Sequence, residues 1–231
     1  MKALYRSSKA CLALDKLEEG LDAITRALRI DPNNMAFNKL QAEISVRQEI
    51  VESRNQETKR REAMKRDASR ALKIALKVTF FETSLTQSRE ITIISTSKPP
   101  NLGEIASYHL ADPLNPHSDL IFPAILLYPL TSQTDLIAEF SLSTTLLDHL
   151  SVVLEENPPW DTQQEYTVDK VECFMEFPKE SGMGLIKIGK SMMMEKVLQG
   201  KAIHDGIIRI FVLPKQKSQS WISQWKAQNN K

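Results

Sequence analysis

Four groups of residues have the types and spacing to do chemistry. Residues 184–191, Gly-Leu-Ile-Lys-Ile-Gly-Lys-Ser, carry the spacing of a phosphate-cradling loop, in which Gly184 and Gly189 would let the backbone curl and Lys190 would reach a phosphate. Such a loop needs backbone N–H groups arranged as a nest. Ile186 and Ile188 are β-branched and favour extended backbone, and no downstream apolar strand ends in an Asp suited to Mg²⁺. Nucleotide binding through Gly184 to Ser191 therefore stands as the alternative reading. Lys2 and Arg6, four residues apart, project from one face of a helix. Together they suit a carboxylate, since Arg binds it bidentately and Lys adds a mobile charge. A basic run, Lys59, Arg60, Arg61, Lys65 and Arg66, could meet an acidic partner, RNA or a ribosomal surface, although a solvated helix face is the plainer reading. Trp160, in the stiff run Asn157-Pro158-Pro159-Trp160-Asp161, has the residue type of a partner anchor. The four histidines and two cysteines show no metal-ligand spacing, and no Ser/His/Asp or Cys/His grouping emerges. No catalytic residue, metal or cofactor is assigned, and a non-enzymatic protein is expected.

These groups need elements to hold them. Residues 1–34 have the length of one tetratricopeptide repeat. Leu4, Ser8, Cys11 and Leu12 fall at helix-packing intervals, and Gly20, Ile24, Ala27 and Leu28 do so again. Asp15 and Lys16 supply the turn. Asp31-Pro32 ends the second helix, because the residue before proline is pushed out of the α region. In a solenoid the face carrying Lys2 and Arg6 lines the concave groove. A lone repeat cannot bury both its faces, so this one is expected to close an array whose earlier members precede the chain. Residues 35–77 contain no Pro or Gly and read as one helix. Phe37, Leu40, Ile44 and Val51 should cap the repeat. After Glu52 the apolar stripe fades, and the helix should continue as a solvated strut, on the order of 60 Å in all at about 1.5 Å per residue.

From about Val78 the pattern changes to mixed strands and helices. Residues 91–96 and 171–177 alternate at period two, and 120–128 is almost continuously apolar, as in a strand covered on both faces. Pro123 must interrupt its ladder. A further strand at 207–213 follows the hairpin signal Asp205-Gly206, which should join it to 202–204. Helices are expected at 133–140, capped by Ser132 and Asp135, at 144–154, capped by Ser143, at 191–199, and through Trp221 and Trp225. Of the methionines at 192–194, core filling is the main expectation. The predicted fold class is α+β (mixed): a terminal repeat hairpin at 1–34, a capping and linker helix at 35–77, and a mixed β-sheet covered by helices at 78–231.

Composition narrows the setting. The 231 residues carry a net charge of +1, so no bulk charge directs the chain to nucleic acid or membrane. Locally the balance is different, with eight Lys/Arg against three Asp/Glu between Asn55 and Lys77. Cys11 and Cys173 lie far apart in the sequence, which suits a reducing compartment. No apolar run reaches membrane-spanning length, and the first ten residues do not read as a signal peptide.

Taken in order, a terminal repeat with Lys2 and Arg6, a long charged helix, and then Phe122-Pro123, Leu127-Tyr128-Pro129, Asp135-Leu136-Ile137, Phe140, Pro159-Trp160-Asp161, Glu165-Tyr166, Val171, Phe174-Met175-Glu176, Leu-Ile-Lys-Ile-Gly-Lys at 185–190, Asp205-Gly206 and Val212-Leu213-Pro214 resemble the tetratricopeptide repeat protein 4 family. The resemblance covers essentially the whole chain. It implies a cytosolic co-chaperone of heat-shock protein 90, nuclear also in some members, without cofactor, metal or membrane. Lys2 and Arg6 would then be the last-repeat half of a carboxylate clamp for the C-terminal Met-Glu-Glu-Val-Asp of heat-shock protein 90, or the related tail of heat-shock protein 70. The clamp's other residues would lie in earlier repeats. A C-terminal "wheel" domain would do client work, which in fungal members concerns translation elongation factor 2. The resemblance also makes 184–190 a strand rather than a phosphate loop.

Overall fold

A computed structural model describes residues 1–77, 79–82, 85–88, 90–96, 107–179 and 182–229. The expected start of the second domain at Val78, Glu180 and Ser181 ahead of Gly182, and the final two residues lie outside the described set.

The first helices follow the periodicity of their apolar residues. Helix α1 is Lys2–Ala13, α2 is Leu17–Ile30 and α3 is Met35–Ala75. The α1–α2 turn closes on Asp15, a non-glycine residue at φ 53°. Lys16 N–H donates to Cys11 O at 2.9 Å and Asp15 N–H to Leu12 O at 3.2 Å, the paired bonds of a left-handed helix C-cap. Arg47 on α3 grips the Asp15 carboxylate with two bonds, at 2.7 and 2.8 Å. Leu17, Ile24, Ala27, Phe37, Leu40 and Ile44 form a small core. At Gly20 the helices leave little space for a side chain: a Cβ there would sit 3.0 Å from Ile44 Cδ1 and 3.4 Å from Cys11 Cβ. Two compact units, Met1–Arg66 and Asp67–Lys231, divide inside α3. Ala71 and Ala75 thus belong to the core of the second unit.

In that second unit a six-stranded mixed sheet is built from β4 (His109–Leu110), β5 (Leu120–Tyr128), β6 (Gln133–Ser141), β7 (Val171–Lys179), β8 (Gly182–Ile188) and β10 (Ile208–Pro214). The order is β4-β5-β10-β7-β8, with β6 also on β5, and only the β10–β5 pair is parallel. As the apolar run predicts, β5 is largely buried, with Leu120, Phe122, Leu126 and Tyr128 at its core positions. The β5–β6 register slips between Phe122 and Ala124, across Pro123, which has no N–H to give. A short parallel pair joins β3 (Thr92–Ile94) to β9 (Ala202–His204), and an antiparallel pair joins β1 (Thr79–Glu82) to β2 (Leu85–Ser88). Val171, Cys173 and Met175 share one core with Leu146 and Leu150 of α4 (Leu146–Val153). The opposite face receives α6 (Lys215–Asn229): Ser218 donates to Glu172 at 3.0 Å, and Trp221 lies 4.7 Å from Phe211 between ring centres.

Four sequence expectations are corrected. Residues 133–140 form strand β6, not a helix. Ser132 is at φ 54°, a turn conformation rather than the extended one of an N-cap, and the free edge of β5 supplies the backbone partners. Helix α4 is capped not by Ser143 but by Thr145, whose hydroxyl accepts from Asp148 N–H while Asp148 accepts from Thr145 N–H. The helix at 191–199 shrinks to α5 (Met194–Leu198). The Asp205-Gly206 turn forms, with both residues at positive φ and Ile207 N–H donating to His204 O at 3.0 Å. It does not make a hairpin, because β9 pairs with β3 while β10 has both edges filled by β5 and β7.

Candidate functional site

Lys2 and Arg6 project from α1 into solvent, and neither has an ion partner among the described residues. Helical geometry aligns them, and exposed Lys9 continues the same face one turn further. Sequence reading missed Lys9, although its i+7 spacing from Lys2 was available. Helix α1 is braced by Tyr5, packed edge-on at 5.7 Å against Phe37 of α3, and by buried Ser8, whose hydroxyl donates to Leu4 O. An unpaired row of two or three cations on a braced helix can accept an anionic chain end with little loss of its own order.

The other nominated residues do not gather there. Lys59, Arg60 and Arg61 are exposed consecutive residues on α3, so they fan out at about 100° each instead of sharing a face. Arg61 is further engaged with Glu57 on the preceding turn. Trp160 is half-buried, with its ring 4.9 Å from both Tyr128 and Tyr166. Its loop is pinned by Asp161, 4% exposed, which accepts the N–H groups of Glu165 (3.0 Å) and Tyr166 (2.7 Å). Burial pushes the hydroxyls of Tyr128 and Tyr166 above the ordinary tyrosine range, so both stay neutral.

Residues 184–188 run extended in β8, paired with 173–177 of β7, so the curled nest of a phosphate loop is not formed. Lys190 turns inward and donates its ammonium to the carbonyls of Val168 and Val171. Burial pushes the Cys173 thiol up to about 12, which leaves it an inert core group. His149 stacks on Phe140 at 4.0 Å and meets the Thr144 hydroxyl at 2.9 Å, and its burial lowers its pKa. Met194 is fully buried, whereas Met192 and Met193 are about half exposed, so only one of the three fills the core. Among the described residues no three His, Cys, Asp or Glu side chains are grouped to hold a metal ion.

Comparison with known proteins gives a consistent result. Residues 112–225 match the family described as the Cns1/TTC4 Wheel domain. The chain is 34% identical over 227 residues to the Hsp70/Hsp90 co-chaperone cns1 of Schizosaccharomyces pombe, covering 97% of this chain and 60% of the relative. It is 33% identical to CNS1 of Saccharomyces cerevisiae, also named an Hsp70/Hsp90 co-chaperone, covering 99% of this chain and 58% of the relative. Human tetratricopeptide repeat protein 4 is 26% identical, covering 86% of this chain and 52% of that protein. The chain thus spans somewhat over half the length of the curated relatives it matches. Among solved structures, the Hsp90 co-chaperone Cns1 from Saccharomyces cerevisiae (delta69) superposes with a TM-score of 0.81 at 31% identity, covering 97% of this chain and 70% of that one. The C-domain of the same yeast protein gives a TM-score of 0.57 at 29% identity, covering 71% of this chain and 94% of that one. With its mixed sheet, its helical N-terminal part and sequence likeness along nearly its whole length, the chain belongs to the Cns1/TTC4 family, whose C-terminal part is the Wheel domain.

Proposed function

We propose that this chain acts as a heat-shock protein 90 co-chaperone. In this reading residues 1–34 are a tetratricopeptide repeat, 35–77 a capping and linker helix, and 78–231 the Wheel domain. Lys2 and Arg6 hold the terminal carboxylates of a chaperone tail, that of heat-shock protein 90 and the related one of heat-shock protein 70. The Wheel domain assists a client, of which translation elongation factor 2 is the one proposed. The work takes place in the cytosol and extends to the nucleus; the free thiols of Cys11 and Cys173 support a reducing compartment.

The observation that carries the reading is the unpaired Lys2–Arg6 face, in a chain alike over nearly all its length to proteins named Hsp70/Hsp90 co-chaperones. The alternatives have weaker support. A nucleotide site at 184–191 would have to be built on an extended strand, and an RNA contact at Lys59, Arg60 and Arg61 on side chains that diverge.

Calorimetric titration with a Met-Glu-Glu-Val-Asp peptide tests the proposal. A charge-assisted bond contributes roughly 1.5–3 kcal/mol, so Arg6→Glu should weaken binding about tenfold or more. Unchanged affinity in that variant would remove Lys2 and Arg6 from the tail-binding surface.

A further inference from the structure

We propose that the groove between the end of α3 and the open edge of β3 is a second peptide site, which takes an extended segment of alternating apolar and acidic residues as an added strand. This goes beyond the tail-binding face on α1 and does not depend on it. The groove has a volume of about 940 Å³, and its described lining residues belong to the second unit.

The backbone gives the first argument. Thr92 N–H donates to Lys201 O at 3.2 Å, and Ile94 O accepts from Asp205 N–H at 2.8 Å, so both residues spend their backbone groups on the β9 side. Alternation along a strand then aims the groups of Ile91 and Ile93 the other way. Ile91 N–H meets Leu76 O, at the end of the helix, at 3.1 Å. One pleat further on, the N–H and C=O of Ile93 reach an edge that pairs with no strand among the described residues. An unpaired strand edge is a template for another chain, and the side pockets beside it select the residues.

Charge and apolar lining give the second. Arg70 and Lys73, three apart on one side of α3, line the helix wall, and Lys77 lines it just past the helix end. All three are exposed, and none has an ion partner among the described residues. Glu90 is the one carboxylate among the described lining residues. The negative end of the helix dipole accounts for cations in the last turns, but not for an open strand edge facing them. The floor is apolar: Ile91 is buried, Ile93 half-buried, and Tyr108 stacks on core residue Phe122 at 5.6 Å. Gly206 keeps that ring in place, since a Cβ there would lie 2.2 Å from Tyr108 Cδ1. Cations above an apolar floor with one ring fit an acidic, apolar peptide better than RNA, which would want several rings to stack on.

The test is fluorescence anisotropy of the full chain with a short peptide of alternating leucine and glutamate, labelled at its N-terminus and amidated at its C-terminus. Saturable binding is expected. The Arg70→Glu/Lys73→Glu double variant should weaken it about tenfold or more, since charge-assisted bonds are lost at exposed positions that do not serve the core. Arg6→Glu should leave it unchanged, because the peptide offers no terminal carboxylate. Bound peptide should also slow hydrogen exchange of the Ile93 amide. Absent binding, equal binding by the double variant, or displacement of the peptide by oligo-uridine RNA would each overturn the proposal. An equal loss on Arg6→Glu would move the peptide to α1 and overturn it too.

Discussion

In the helical unit, the residues that meet in the core come from three successive helices: Gly20 of α2 lies against Cys11 of α1 and Ile44 of α3, and Tyr5 of α1 against Phe37 of α3. In the sheet unit, β5 at 120–128 takes as its parallel neighbour β10 at 208–214, and β10 passes the sheet on to β7. The first arrangement joins helices that follow one another along the chain, the second a strand pair, β5 with β10, whose segments are much further apart in sequence and must wait for each other to arrive. Their cores differ in kind as well. The helical core is one small cluster braced by an exposed Arg47–Asp15 pair, whereas the sheet core is continuous from Ala71 to Val212. Local packing thus holds a surface that displays cations, while long-range packing creates edges and grooves.

The strongest way to break this contrast is to hollow the sheet core. Phe122→Ala should cost about 3–5 kcal/mol, because the fully buried ring leaves a cavity its neighbours cannot fill. All three tryptophans lie in the second unit, so their fluorescence follows its denaturation while far-UV circular dichroism follows the helices. If both signals shift together, the two units unfold as one and the contrast fails. Ile44→Ala is the counterpart in the helical unit, expected to cost about 2–5 kcal/mol in the helical transition while leaving the tryptophan transition in place.

Asp161→Ala sharpens the picture within the sheet unit. It leaves the Glu165 and Tyr166 N–H groups without their acceptor, at roughly 1–3 kcal/mol for a buried donor, and should redden Trp160 emission as the loop loosens. Unchanged emission would show that the contacts of Trp160 with the Tyr128 and Tyr166 rings hold it without the Asp161 bonds. The smallest effect concerns α6. The hydrogen bond from Lys187, followed by that from Ser218, holds the Glu172 carboxyl below its ordinary value of 4.5. A depressed folded pKa contributes stability above 4.5, which is lost as pH falls through the lower folded value. Mild acid should therefore loosen α6 slightly, seen in Trp221 emission, and Glu172→Gln should remove that step. A step that survives the substitution would assign it to another carboxylate.

Legibility followed the same division. The two helix faces of the hairpin, its Asp15 turn and the Lys2–Arg6 pair were readable because each rests on spacing within a few turns. The Arg47 grip on Asp15 was not, since nothing local ties the two. In the second unit, the continuous apolar run at 120–128, the alternation at 171–177 and the run at 207–213 located β5, β7 and β10, but Gln-Thr-Asp-Leu-Ile-Ala-Glu-Phe at 133–140 carried a false helix signal. The groove beside β3 was invisible, because Arg70, Lys73 and Lys77 read as part of a solvated strut and the two ends of the groove are separated by residues 78–89.

The sequence by itself determined which segments are helical or extended in the clearest runs, which faces they bury, and the family to which the chain belongs. Those properties follow from side-chain periodicity and from patterns of residue type, both written along the chain. Only the tertiary structure decided that 133–140 pairs with β5, that Asp205-Gly206 joins two different sheets, and that one edge of β3 pairs with no strand among the described residues. Strand pairing is made by backbone N–H and C=O groups, which nearly every residue carries alike, so its outcome depends on which edges the rest of the fold brings together.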